Sequence, residues 1–146
     1  MVIRAWSAAV LALLALVLAA CASLPATPPV ITASVLVEPA PGDARWFDDV
    51  QVPAGTDGYQ LLVAATGGQV KADWFPQFRS HFVKRILGIE PPGTRFWGAF
   101  IWNETTMAWE PLPVGADLFS VKQGHIMAWA VVEYSPDRVA LPASTP

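Results

Sequence analysis

Four tryptophans and a polar turn carry most of the chemistry that this sequence could do. Phe96 to Trp109 reads Phe-Trp-Gly-Ala-Phe-Ile-Trp-Asn, then Glu-Thr-Thr-Met, then Ala-Trp, and holds three of the chain's seven tryptophans. At the two-residue period of a strand, positions 96, 98, 100 and 102 share one face and 97, 99 and 101 the other. Both faces are apolar, so this strand is either covered on both sides or presents one face as a binding platform. Trp97, Trp102, Trp109 and Trp129 could form such an aromatic face, with packing into the core as the alternative for each. Asn103, Glu104, Thr105 and Thr106 could hydrogen-bond a ligand, and ordinary turn chemistry explains them equally well.

Other chemistry is sparse. His81 and His125 are the only histidines and Cys21 the only cysteine, so no metal site of three or four nitrogen and sulfur ligands can be assembled. Either histidine alone could cap a metal, but a loop role is the simpler reading. Asp48 and Asp49 are adjacent, and a strand points them to opposite faces, a poor acid and base couple. Nucleophile-elbow, phosphate-loop and paired-histidine zinc motifs are absent, and no enzyme is expected.

The N-terminus predicts where the protein works. Residues 1–20 carry one charge, Arg4, and an unbroken Ala, Val and Leu run from Ala8 to Ala20, which fits the apolar region of a signal peptide. Leu18-Ala19-Ala20-Cys21 resembles the lipobox of bacterial lipoproteins, which makes Cys21 a lipidated first residue and places the protein outside the cytoplasm on a bacterial membrane. Pro-rich residues 21–29 read as a tether. Residues 30–135 read as the folded domain, and the Pro, Ala and Ser-rich segment 136–146 as a frayed, disordered tail. Without the leader, eight basic residues face twelve acidic ones, a net of −4, which argues against nucleic acid as a partner.

The elements that must position the tryptophans follow from periodicity. Strands are expected at Val30 to Glu38 and Arg45 to Val52, and a short helix at Asp57 to Ala65 with Asp57 and Gln60 as reciprocal caps and Gly67-Gly68 as its stop. Residues 69–81 read as loop, with a strand from about Phe82. Further strands are expected at Arg95 to Asn103, Ala108 to Glu110 and Ile126 to Tyr134, with a tight turn at Lys122 to His125. Two strands, a helix and more strands is the order of an α+β, β-grasp-like fold, in which a mixed sheet wraps one short helix.

Val52-Pro-Ala-Gly-Thr56, Phe82-Val-Lys-Arg-Ile-Leu-Gly-Ile89, Phe96-Trp97 through Trp102-Asn103, Gly115-Ala-Asp-Leu-Phe119 and Val121-Lys-Gln-Gly-His-Ile126 with Trp129 and Tyr134 occur in an order that resembles the transcobalamin-like C-terminal domain. That domain closes transcobalamin and intrinsic factor and also stands alone in bacterial surface proteins. The chain departs from the pattern at Glu104, where Gly is usual, at His125, where an acidic residue is usual, and in a longer segment from Gly68 to His81. It has nothing like the helical barrel that completes the cobalamin site in the animal carriers. The resemblance implies a corrinoid as the ligand, with no cofactor required; the residues read above as candidates to meet a ligand are Trp97, Trp102, Asn103, Thr105, Trp109 and Trp129. A different class of function, a structural or protein-interaction module with an envelope protein as partner, stands beside it.

Overall fold

A computed structural model describes residues 26–135 and 138–146. The order of elements is β1 (Val30–Glu38), β2 (Arg45–Pro53), α1 (Gly58–Ala65), β3 (Val70–Phe75), β4 (Ser80–Ile86), β5 (Arg95–Asn103), β6 (Ala108–Pro111), a 3-10 turn at Ala116–Leu118 and β7 (Ile126–Glu133). Five strands form one sheet in the order β2-β1-β7-β5-β6, and β3 and β4 form a separate hairpin. The β1–β7 pair is parallel and the other pairs of the large sheet antiparallel, giving the mixed α+β architecture expected from the element order.

The helix forms where its caps are. Asp57 Oδ1 accepts from the Gln60 N–H at 2.8 Å, and Gln60 Oε1 accepts from the Asp57 N–H at 3.2 Å, so two backbone donors that a helix start leaves orphaned are satisfied reciprocally. Leu61 and Leu62 are fully buried against the sheet, in a core with Val35, Val37, Trp97, Met127 and Trp129. Such a short helix draws its stability from that packing. Replacing Asp57 with Ala should lower stability by about 1 kcal/mol, seen as a lower denaturant midpoint with an unchanged slope.

The second face of the sheet has its own core of Leu36, Phe100, Trp109, Ala128, Ala130 and Val132, flanked by Trp46, Phe96, Trp102 and Ile126. Gly98 belongs to this face. A Cβ there would lie 3.1 Å from both the Phe100 ring and Val132, so the missing side chain lets Phe100 lie flat and bury almost completely. β5 therefore alternates as its period predicts, with Trp97, Ala99 and Ile101 toward the helix and Phe96, Phe100 and Trp102 away from it.

Two expectations need correction. Residues 69–81, read as loop, contain β3, which pairs with β4 from Val70↔Ile86 to Phe75↔Ser80. The expectation that the end of the chain frays does not hold for Ala143 and Ser144. The Ala143 N–H, the Ser144 N–H and the Ser144 hydroxyl all donate to the buried carboxylate of Glu38, at 2.7, 3.1 and 2.8 Å, and the Trp109 indole N–H donates to the Ser144 carbonyl at 2.7 Å. Pro142, immediately before these anchor points, is buried. A Pro, Ala and Ser-rich segment lacks apolar bulk, but polar groups already fixed in the domain hold it in place.

Candidate functional site

The sheet divides the six aromatic and polar candidates. Trp97 and Trp129 lie on the helix face and are 4% exposed, and their indole Nε1 atoms have no hydrogen-bond partner among the described residues. Trp109 lies on the opposite face, also 4% exposed, its ring edge-on to Trp102 with centroids 5.2 Å apart. Of the four tryptophans only Trp102 is partly exposed. Asn103 and Thr105 follow it into the β5–β6 turn.

A cleft of about 380 Å³ opens where β5 ends and β7 begins, lined by Ile101, Trp102, Asn103, Glu104, Glu110 and residues 123–126. One wall is the hairpin tip. Asn103 Oδ1 accepts from the Thr105 and Thr106 N–H groups at 2.9 and 3.2 Å, and its Nδ2 donates to Glu110 at 2.8 Å. The Asn103 side chain thus closes the turn, and its polar atoms are engaged within the protein. Thr105 is exposed at the tip and does not line the cleft.

The other wall is the turn before β7. It is riveted to β1 by backbone and side chain: Gly124 N–H donates to the Thr32 carbonyl at 2.8 Å, Thr32 N–H to the Gln123 side-chain Oε1 at 2.8 Å and Ser34 N–H to the His125 carbonyl at 3.0 Å. Ser34 sits where the β1–β2 register shifts, opposite Asp48 and Asp49, and is the first β1 residue to pair with β7. Burial, reinforced by the Lys122 charge, lowers the pKa of His125, so the imidazole is neutral at pH 7. Its Nδ1 accepts the Lys122 N–H at 3.2 Å, which leaves the proton on Nε2. In that tautomer the ring offers a hydrogen-bond donor and not a metal ligand. The cleft therefore combines one aromatic surface with amide and imidazole donors and two carboxylates.

Sequence reasoning missed a second cluster, around His81. The Tyr59 ring stacks on the imidazole at 4.0 Å and 10°, and Trp74 leans on it at 5.0 Å. Asp117 accepts from His81 Nδ1 at 2.5 Å, from the His81 N–H at 2.8 Å and from the Ser80 hydroxyl at 3.0 Å. Burial pushes the Asp117 carboxyl up, but these hydrogen bonds together outweigh it and hold the pKa below the usual value. The hydroxyl points its proton at the carboxylate and not at the imidazole, so Ser80 and His81 are not a nucleophile and base pair. Asp117 instead fastens the β3–β4 hairpin to the 3-10 turn. The only advance signal was the resemblance motif containing Asp117. No group of three His, Cys, Asp or Glu residues among those described is placed to hold a metal. Cys21 lies outside the described residues.

No protein-family model matches the chain, and no curated protein matches its sequence. Among solved structures the fold is similar to that of haptocorrin in complex with Cbi, with a TM-score of 0.59 at 14% identity over 78% of this chain. The chain spans 28% of that haptocorrin chain, so the likeness is to one part of a larger protein and is a likeness of fold.

Proposed function

We propose that this protein is an extracytoplasmic binding module, held to a bacterial membrane by lipid on Cys21, which takes one edge of a corrinoid in the cleft beside Trp102. The observation that carries the reading is the cleft itself: a partly exposed indole bordered by donors and acceptors, on a fold similar to part of a haptocorrin solved in complex with Cbi. A corrin presents an apolar macrocycle with amide arms, and a site of this kind offers area for the first and hydrogen bonds for the second. The Gln123 amide NH₂ and the His125 Nε2–H are the donors left over after the turn is built, and Glu104 supplies an acceptor. At about 380 Å³ the cleft is too small to enclose a whole corrinoid, so the module holds a face or an edge and leaves the rest to solvent or to a partner. Cobalt ligation by His125 does not fit, because its Nδ1 is occupied by a backbone N–H.

Titration of residues 21–146, carrying Cys21→Ser, with cyanocobalamin tests this. Saturable quenching of tryptophan fluorescence is expected, weakened about 10- to 30-fold in Trp102→Ala as an aromatic anchor is lost. A chain that gives no saturable signal at high micromolar ligand, or one whose affinity is indifferent to Trp102, refutes the reading.

A further inference from the structure

The β3–β4 hairpin carries the largest group of exposed aromatic side chains on the domain. Phe78 at its tip is 67% exposed, Trp74 50%, Phe82 47% and Phe75 37%. Phe75 and Phe82 meet edge to face at 6.4 Å, and with Phe78, Ser80, His81 and Gly115 they border an open apolar groove of about 300 Å³. A soluble surface does not ordinarily gather four such rings around one tip.

Charge is segregated in the same place. Residues 70–86 hold four of the chain's nine Lys and Arg residues but one of its twelve Asp and Glu residues, so the hairpin is a cationic projection from an otherwise acidic protein. Lys84 pairs with Asp73 at 2.9 Å and Arg85 with Glu90 at 2.6 Å, while Lys71 and Arg79 have no ion-pair partner among the described residues. Arg79 immediately follows the tip, one residue from Phe78. The hairpin is also stiff where it joins the domain, because Asp117 grips Ser80 and His81 and Tyr59 stacks on the imidazole. Exposed rings at a rigid tip with Arg79 beside them, and Lys71 farther back at the base of the hairpin, match the boundary layer of an anionic bilayer. Aromatic rings partition there at headgroup depth and basic side chains meet the negative surface potential.

We infer that the β3–β4 hairpin docks this domain onto an anionic lipid surface, with Phe78, Phe75 and Trp74 entering the headgroup region and Arg79 pairing with lipid phosphate. This contact is independent of lipidation at Cys21 and of the ligand cleft, neither of which includes a hairpin residue.

Both core clusters lie within residues 26–146, so residues 21–146 with Cys21→Ser retain the whole fold without the leader. This protein should co-sediment with vesicles of phosphatidylcholine mixed with phosphatidylglycerol, much less with phosphatidylcholine alone, and should be released by high salt. Phe78→Asp should weaken the partition at least about ten-fold, the value of removing one buried Phe side chain from the interface. Arg79→Ala should weaken it about five-fold, whereas Arg45→Ala, outside the hairpin, should not change it. Lipids brominated near the headgroup should quench part of the fluorescence of the parent and less of it in Trp74→Phe. Phe78 and Arg79 are at an exposed tip, so an unchanged unfolding midpoint shows that these variants are folded. Failure to sediment with the anionic vesicles, equal binding to both kinds, or binding that Phe78→Asp leaves intact overturns the proposal. So does a concentration-dependent dimer abolished by Phe78→Asp in a chain that ignores vesicles, which would make a second copy the occupant.

Discussion

Replacing Trp97 with Ala should destabilise the domain by about 3 to 5 kcal/mol, while the same change at Trp102, five residues along the same strand, should cost far less. Trp97 is 4% exposed and packs under α1 among Leu61, Leu62, Val83 and Trp129, so truncation opens a cavity that rigid neighbours on the sheet cannot fill. Trp102 stands at the end of the opposite face, with one side against Trp109 and the other open to the cleft. Trp97→Phe sharpens the comparison. It keeps most of the packing and removes an indole N–H that has no partner among the described residues, so it should lose much less than the alanine variant. Denaturant midpoints of the three variants decide the matter. Equal losses at positions 97 and 102 would mean that Trp102 is core, and the cleft would lose its aromatic wall.

The second large effect is expected at Glu38. The residue is 2% exposed, its carboxylate has no cationic partner among the described residues, and it accepts from the Gly42 N–H at 2.8 Å as well as from the three donors of Ala143 and Ser144. Hydrogen bonds to a charged group are worth more than neutral ones, and freeing the tail returns some chain entropy, so Glu38→Ala should cost on the order of 2 to 4 kcal/mol. The tail should leave with it: amide exchange at Ala143 and Ser144 should become fast, and carboxypeptidase should trim the C-terminus of the variant and spare the parent. Deleting residues 141–146 should cost a comparable amount, and combining the two changes should cost little more than either alone, since both break one set of contacts. Full additivity would show that the tail and Glu38 contribute separately.

What the sequence disclosed, and what it hid, follows from the range of the interactions concerned. The capping box at Asp57 and Gln60 and the alternation in β5 are local, set by residues one helical turn or two positions apart, and both appear in the structure. β3 was hidden because its alternation is broken by a register shift between Lys71 and Ala72 and because Trp74 and Phe75 are both exposed. Phe75, Phe78 and Phe82 also recur at helical spacing, and hydrophobic periodicity counts an aromatic residue as core wherever it lies. The anchoring of the tail was invisible for a different reason. Ser144 and Glu38 are 106 positions apart, and nothing near either residue announces the other. For the site, the strand period separated Trp97 from Trp102, but which face lay open depended on where the helix packed. The hydrogen bonding that commits Asn103 to its turn and His125 to a donor tautomer required three-dimensional neighbours.

The first strand lies beside the last. β1 pairs with β2 on one side and with β7 on the other, residues 34–38 aligned with 126–130, and β7 alone joins β1 to β5. Synthesis delivers these pieces in the wrong order for early folding: the β1–β2 hairpin, α1 and the β3–β4 hairpin emerge first, and the strand that unites them emerges after more than a hundred residues have been made. A partly made chain therefore has local structure but no shared interior, since Met127 and Trp129 of one core and Ala128, Ala130 and Val132 of the other have yet to appear. Such a chain remains pliable and threadable until its end is released. For the extracytoplasmic module proposed above, late closure by the final strand would let passage across a membrane precede folding.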